Sequence, residues 1–299
     1  MDSTTAGIST RGCALDMPWA PFFWVRFVPP NPLVTGGVSA TDHRPVVSVV
    51  FVSYRRVDLL ELSLASFLST AAYPRSQLEL ILCDDGSPAE MQERMRRMPF
   101  DKLLLDGKNR GVGANTNKGI KAAQGEYILQ LQDDWLCVGG GDFIEACLEL
   151  FTERPDVHLI RLRQPFDGPF EVHRTGCGRT AQIYRNRPQW RETAGEYMYS
   201  DNPHMKRRSL HEVLGPYTEQ RPMHVTEMDF CRRLEAQAQM RVAFIEGYTS
   251  FVHLGQDRSF NPLLRRQRWI KPLEHCAATA WVVRGCRALK RAFRGWFRR

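Results

Sequence analysis

The chain of 299 residues carries 41 Lys and Arg against 33 Asp and Glu, a formal net charge of +8, and is 43% hydrophobic. That content sustains a sizeable α/β core, and the lack of any run of about 18 apolar residues excludes a membrane-spanning helix. The excess charge is local: residues 263–299 hold 11 Lys and Arg with one acid, Glu274, while the remaining 30 basic and 32 acidic residues nearly cancel, so no nucleic-acid groove is implied.

Residues 1–44 read as a weakly structured extension. Its most apolar stretch is broken by Pro18, Pro21, Arg26, Pro29, Pro30 and Pro32, and Asp2 stands where a secretory signal needs positive charge. The eight cysteines form no Cys-x-x-Cys pair, which argues against zinc and redox motifs and for a reducing cytosol.

From Val46 to Phe51 and Val52 the chain is β-branched and apolar throughout, the pattern of a strand buried on both faces of a parallel sheet. It ends at Ser53-Tyr54-Arg55. Val57, Leu60, Leu64 and Phe67 then recur at helical spacing over 57–68. A second strand, 78–82, runs into Cys83-Asp84-Asp85-Gly86-Ser87, whose Gly and Ser form a turn. Residues 102–105 are strand-like, 107–113 a Gly-rich loop, and 114–123 a helix stopped by Gly125. The strand 127–131 delivers Gln132-Asp133-Asp134-Trp135 at its carboxyl end. Beyond residue 150 the rhythm loosens, with a strand over 157–163, a helix over 226–238 and a strand over 241–245. Strand alternating with helix predicts right-handed crossovers and a mainly parallel, Rossmann-like sheet flanked by helices.

In such a sheet ligands bind at the carboxyl ends of strands, where Ser53-Tyr54, Asp84-Asp85 and Asp133-Asp134 converge. Acids gathered at one edge repel unless a cation or hydrogen-bond donor joins them. A divalent ion carrying substrate phosphates meets that need.

The order Ser48-Val49 to Ser53-Tyr54-Arg55, Asp84-Asp85-Gly86-Ser87, Asn109-x-Gly111, Asn117-x-Gly119, Gly125-Glu126-Tyr127-Ile128 and Gln132-Asp133-Asp134 resembles glycosyltransferase family 2 and the wider GT-A fold. The match is dense over 45–150 and thins downstream to Asn202-Pro203, Lys206-Arg207-Arg208, Gly215-x-Tyr217, Thr226-Glu227-Met228-Asp229 and His253-x-Gly255. The resemblance implies a nucleotide-sugar-binding half at 45–150, an acceptor-binding half of the same domain at 151–262, and a basic tail at 263–299.

Carried onto these positions, the resemblance implies that Ser53, Tyr54, Asp84, Asp85, Asn117, Gln132 and Asp133 bind the nucleotide sugar. It gives Asp134 and His253 as ligands of Mn²⁺ or Mg²⁺, and Glu227 with Asp229 as the catalytic acids. Gln132 replaces the first Asp of the family's Asp-x-Asp motif, an exchange of one ribose partner for another. Glu227 takes the acceptor's proton, a task for a carboxylate; Thr226, Glu227 and Asp229 also suit a helix N-terminus, with Thr226 as cap. Lys206, Arg207 and Arg208 are expected over the diphosphate.

The implied activity is inverting, metal-dependent transfer of a sugar to an acceptor such as a lipid-linked or cell-surface glycan. The alternatives are a nucleotidyltransferase and a non-catalytic nucleotide-sugar-binding protein. In the tail, Val282, Cys286, Leu289, Phe293 and Trp296 share one side of a helix and Arg284, Arg287, Arg291, Arg294 and Arg298 the other. That amphipathic helix, over 280–299, implies either peripheral attachment to the anionic inner face of the plasma membrane or packing on the domain. A cytoplasmic location follows in both cases.

Overall fold

Period-two alternation in the first strand decides the layering. In β1 (Val47–Ser53) every residue is buried; Val47, Val49 and Phe51 enter one apolar cluster and Val50 and Val52 another, because successive side chains leave a strand on opposite faces. Helix α1 (Val57–Thr70) covers the first face with Leu60, Leu64 and Phe67. On the second face lies α3 (Val112–Ala122), through Ile120. The computed structural model describes residues 46–165, 168–185 and 198–254; the extension at 1–44 and the tail at 263–299, with the amphipathic helix expected there, lie outside them.

The remaining strands are β2 (Leu78–Asp84), β3 (Lys102–Leu105), β4 (Tyr127–Gln132), β5 (Trp135–Cys137), β6 (Val157–Arg161), β7 (Phe170–Arg174), β8 (Thr180–Arg185), β9 (His204–Arg207), β10 (Arg241–Ile245) and β11 (Phe251–His253). Helices α2 (Ala89–Arg96), α4 (Phe143–Glu153), α5 (Leu210–Leu214) and α6 (Met223–Glu235) complete the described elements. One sheet has the order β3-β2-β1-β4-β9-β6-β10-β8-β7, and β5 pairs with β11 in a separate two-stranded ribbon. Only β8 and β9 run against the other seven strands of the large sheet. The mainly parallel α/β sheet read from the sequence is therefore present.

Three elements differ from expectation. The stretch 164–200, without a readable rhythm in the sequence, contains the β7–β8 hairpin, whose outer strand alternates exposed and half-buried residues as an edge strand does. Residues 204–207 form a strand inserted antiparallel between β4 and β6. Helix α6 starts at Met223 behind Pro222, so Thr226 is no cap; its hydroxyl donates to the Thr218 carbonyl at 3.0 Å.

Helix α3 approaches the sheet closely at Gly119. A Cβ there would stand 2.5 Å from Cys83 Sγ and 2.6 Å from Val50 Cγ1. Gly to Ala inside a helix ordinarily gains about 1 kcal/mol, whereas overpacking costs about 1–3 kcal/mol. Gly119→Ala is therefore expected to lower thermal stability, read by differential scanning calorimetry; a raised melting temperature would contradict this packing.

Candidate active site

The carboxyl ends of β1, β2 and β4 are locked together by side chains answering one another's backbones. Asn115, on α3 and 1% exposed, donates its amide to the carbonyls of Ser53 at 3.2 Å and Cys83 at 3.0 Å. The Asp133 carboxylate accepts from the Ser53 hydroxyl at 2.9 Å and the Tyr54 amide at 3.2 Å. Arg55, in the left-handed region at φ 56°, donates its amide to Ser87 Oγ at 2.8 Å. A non-glycine residue in that conformation marks an over-determined loop.

The turn after β2 is organised by its own acids. Asp84 accepts from the Ser87 amide at 2.8 Å, from the Ser87 hydroxyl, and from Gln92 Nε2 at 2.9 Å. Asp85 accepts from the amides of Arg110 at 2.7 Å and Gly111 at 3.0 Å. It thereby holds the loop that leads into α3, close to the helix N-terminus, where a negative charge complements the dipole. Burial nevertheless lifts the Asp85 carboxyl above the usual range.

Asp133 and Asp134 lie side by side with their chains buried. Between them stands a cation that the sequence pattern does not announce. Arg56 reaches Asp133 Oδ1 at 2.5 Å with one nitrogen and Asp134 Oδ2 at 2.6 Å with another. The protein's own guanidinium thus joins these two acids, and leaves one oxygen of Asp134 without a hydrogen-bond partner. Burial, with the neighbouring charge of Asp134, still pushes Asp133 to about 7 against the pull of Arg56. Burial pushes Asp134 up as well, but the hydrogen bond from His253 and the charge of Arg56 outweigh it, and its pKa falls.

His253 arrives through the β5–β11 ribbon, which pairs it with Trp135 and brings the two ring centroids to 4.7 Å. Its Nε2 lies 3.1 Å from Asp134 Oδ2. The other Asp134 oxygen, Oδ1, is buried without a hydrogen-bond partner. A carboxylate oxygen in that condition, beside an imidazole, fits a divalent cation. Among the described residues no three acids, histidines or cysteines gather as a closed metal cage, so such an ion would need substrate oxygens to complete its shell.

Ser53, Tyr54, Asp133, Asp134 and His253 are thus one contact group, and Gln132 ends β4 beside Val52. Asn117 is elsewhere occupied: its amide donates to the Tyr217 carbonyl at 2.9 Å and to Glu219 at 2.8 Å, and its oxygen accepts from the Tyr217 amide at 2.8 Å. Helix α6 meets the start of α3 where Thr218 and Thr226 close on Gly113. There Glu227 is half-buried and accepts from the Asp201 amide at 2.9 Å. Burial, together with the Asp201 charge, raises its pKa to about 7. Asp229 is bound to Thr218 Oγ1 at 2.6 Å and Arg233 at 2.9 Å, a bracing arrangement.

The basic triplet does not cover this edge. Lys206 pairs with Ile128 and Arg207 with Tyr127, at the amino end of β4, opposite the end that carries Asp133. Arg207 is spent on the carbonyls of Val157 and Phe151, Arg208 on that of Gly125, and Lys206 on Gln130 and Tyr217. The expectation of three cations over a diphosphate is corrected accordingly.

A family model described as glycosyl transferase family 2 matches residues 48–214, more than half of the chain. The chain belongs to that family. EpsH of Bacillus subtilis, named as a putative glycosyltransferase, is 26% identical over 149 residues, 48% of this chain and 41% of its own. Chondroitin synthase of Escherichia coli is 32% identical over 127 residues, 40% of this chain and 17% of its own. The chain therefore spans less than half the length of these curated relatives. Among solved structures, the S. aureus TarS 1–349 complex with UDP-GlcNAc aligns with TM-score 0.51 at 15% identity, covering 69% of this chain and 57% of that one. The Pyrobaculum calidifontis mannosyltransferase PcManGT, in complex with GDP-Man and Mn²⁺, aligns with TM-score 0.53 at 18% identity, covering 81% and 65%. These likenesses show the fold, which is that of GT-A glycosyltransferases.

Within this family 2 chain Arg56 carries a calculable burden. Truncating one member of a buried charge group leaves the others uncompensated, at a cost of about 3–5 kcal/mol. Arg56→Ala should lose stability of that order in urea unfolding at about pH 8. A carboxyl whose folded pKa lies above its unfolded value loses stability as pH rises through the folded pKa. The deficit should therefore shrink as pH falls below Asp133's value of about 7, and a pH-independent deficit would contradict the assignment.

Proposed function

We propose that the chain transfers a glycosyl group from a nucleoside diphosphate sugar to an acceptor hydroxyl, with inversion at the anomeric carbon. Family membership supports the reaction class. The observation that carries the reading is the group at the end of β4, where Asp134 holds a buried, unpartnered oxygen beside His253.

Tyr54 and the Asp84-Asp85 turn would receive the base, Ser53 and Gln132 the ribose, and Asp134 with His253 a divalent cation. Bound there, Mn²⁺ or Mg²⁺ would supply charge neutralisation for the donor diphosphate and its departure. The Mn²⁺ that accompanies GDP-Man in the PcManGT structure is in keeping with that donor set. Glu227 accepts the proton of the acceptor hydroxyl as its oxygen forms a bond to the anomeric carbon. The bond from that carbon to the phosphate oxygen breaks in the same displacement, and the nucleoside diphosphate leaves with the electron pair. A base with a pKa of about 7 is matched to that task near neutrality. Asp229, tied to Thr218 and Arg233, keeps the first turns of α6 in place, and Asn117 does the same for residues 217–219.

No helix among the described residues is long and apolar enough to cross a membrane. A lipid-linked or cell-surface glycan as acceptor, and a seat on the inner membrane face through residues 280–299, belong to this reading as proposals.

The test is nucleoside diphosphate release across a panel of donors, with and without chelator. Asp134→Ala should reduce release to background even at saturating Mn²⁺, and Glu227→Gln should cost about 10²–10⁴ in turnover while donor affinity is kept. Turnover retained in Asp134→Ala would remove the cation site, and pyrophosphate as product would turn the reading to nucleotidyl transfer.

A further inference from the structure

Behind Glu227 lies a set of buried polar groups that sugar transfer does not itself require. Lys206 is fully buried, and Tyr199, Asp201, Tyr217 and Gln130 are at most 5% exposed. Lys206 Nζ donates to Gln130 Oε1 at 2.7 Å and to the Tyr217 hydroxyl at 2.9 Å. The hydroxyls of Tyr217 and Tyr199 are 2.6 Å apart, and Tyr199 donates to Asp201 Oδ1 at 2.6 Å.

A tyrosine hydroxyl has a single proton, and that of Tyr199 goes to the Asp201 carboxylate. The Tyr217 proton has two acceptors, the Tyr199 hydroxyl at 2.6 Å and Gln130 Oε1 at 3.2 Å; the shorter contact makes Tyr217 the donor to Tyr199, and Lys206 donates to Tyr217. Every link then points from Lys206 towards the Asp201 carboxylate, an arrangement that low dielectric strengthens; burial lowers the Lys206 pKa to about 7, against the pull of the Asp201 charge. At its far end the backbone amide of Asp201 holds Glu227 Oε1 at 2.9 Å, and the next amide, of Asn202, donates to Ser200 Oγ at 3.1 Å, closing the corner.

We infer that Asp201 is a positioning residue for Glu227, anchored by the relay Lys206–Tyr217–Tyr199 so that its amide aims the base and its carboxylate stands behind it as a negative charge. The inference rests on the reading of Glu227 as the base. The charge has a consequence for proton affinity: a like charge disfavours ionisation of its neighbour, in line with the elevated pKa of Glu227. Burial raises Asp201, opposed by the Tyr199 hydrogen bond and the charge of Lys206. The other titratable or charged groups around the pair are Lys206 and His204 on β9, His211 on α5, Tyr217 before α6, and Asp229 and Arg233 on α6. Burial and the charge of Lys206 keep both histidines neutral by depressing their pKa values. Asp229 is already paired with Arg233.

The experiment is a carboxyl-carbon NMR titration of the full chain without ligand, with the Glu227 resonance assigned by its loss in Glu227→Gln. Asp201→Asn keeps the amide that holds Glu227 and an oxygen for Tyr199, and removes only the charge. The Glu227 midpoint is expected to fall by about one unit. Tyr199→Phe, which unties the Asp201 carboxylate from the relay and favours its protonated form, should move the midpoint in the same direction; it decides the matter if Asp201→Asn does not fold. A wild-type midpoint in folded Asp201→Asn, or in folded Tyr199→Phe where that variant decides, overturns the inference. Glu227→Gln in the release assay is read separately: if it keeps wild-type turnover, the reading of Glu227 as base fails even where the titration shifts.

Discussion

The architecture of the site depends on a single guanidinium. Asp133 and Asp134 are adjacent in sequence, both buried at the end of β4, and two carboxylates so placed cannot both ionise without a positive charge between them. Arg56 supplies it from the residue that precedes α1, bridging both acids. Three elements are thereby joined by one charge group: the loop after β1, the end of β4, and α1. His253, placed by its pairing with Trp135 in the ribbon, meets the same oxygen of Asp134 that Arg56 holds.

Around that centre each loop is held by the backbone of another. Ser53 and Tyr54 satisfy Asp133, Ser87 receives the amide of Arg55, Asp85 takes the first amides before α3, and Asn115 returns to the carbonyls of Ser53 and Cys83. None of these bonds is local, so the edge holds its shape only when β1, β2 and β4 are in register. A preformed polar edge of this kind favours binding, because little order remains to be imposed when a ligand arrives.

What could be read from the sequence follows the range of the forces involved. The strands read at 46–52, 78–82 and 127–131 announce themselves as short, mostly apolar runs, and the acids at their ends are placed by chain direction alone. Arg56 gives no such signal, because its partners Asp133 and Asp134 are remote in the chain and the Arg55-Arg56 pair looks like any solvated loop. Lys206-Arg207-Arg208 misleads for the complementary reason. Three cations in a row resemble a surface, but β9 alternates its faces and sits between β4 and β6. Lys206 therefore enters the side of the sheet that holds Tyr217 and Phe230, and Arg207 turns to carbonyls on the other. Asp201 carries no signal either, since only the folded corner at Ser200–Asn202 brings its amide to Glu227.

The two buried charge systems differ in their access to solvent. Arg56 keeps 15% of its side chain exposed, so water reaches it, although its partners Asp133 and Asp134 are buried. Lys206 is wholly enclosed, and removing its charge from Asp201 would strand a carboxylate where no solvent can compensate. The charge group that water reaches therefore lies at the carboxyl end of β4, and the enclosed one lies behind Glu227, which it meets through the amide of Asp201.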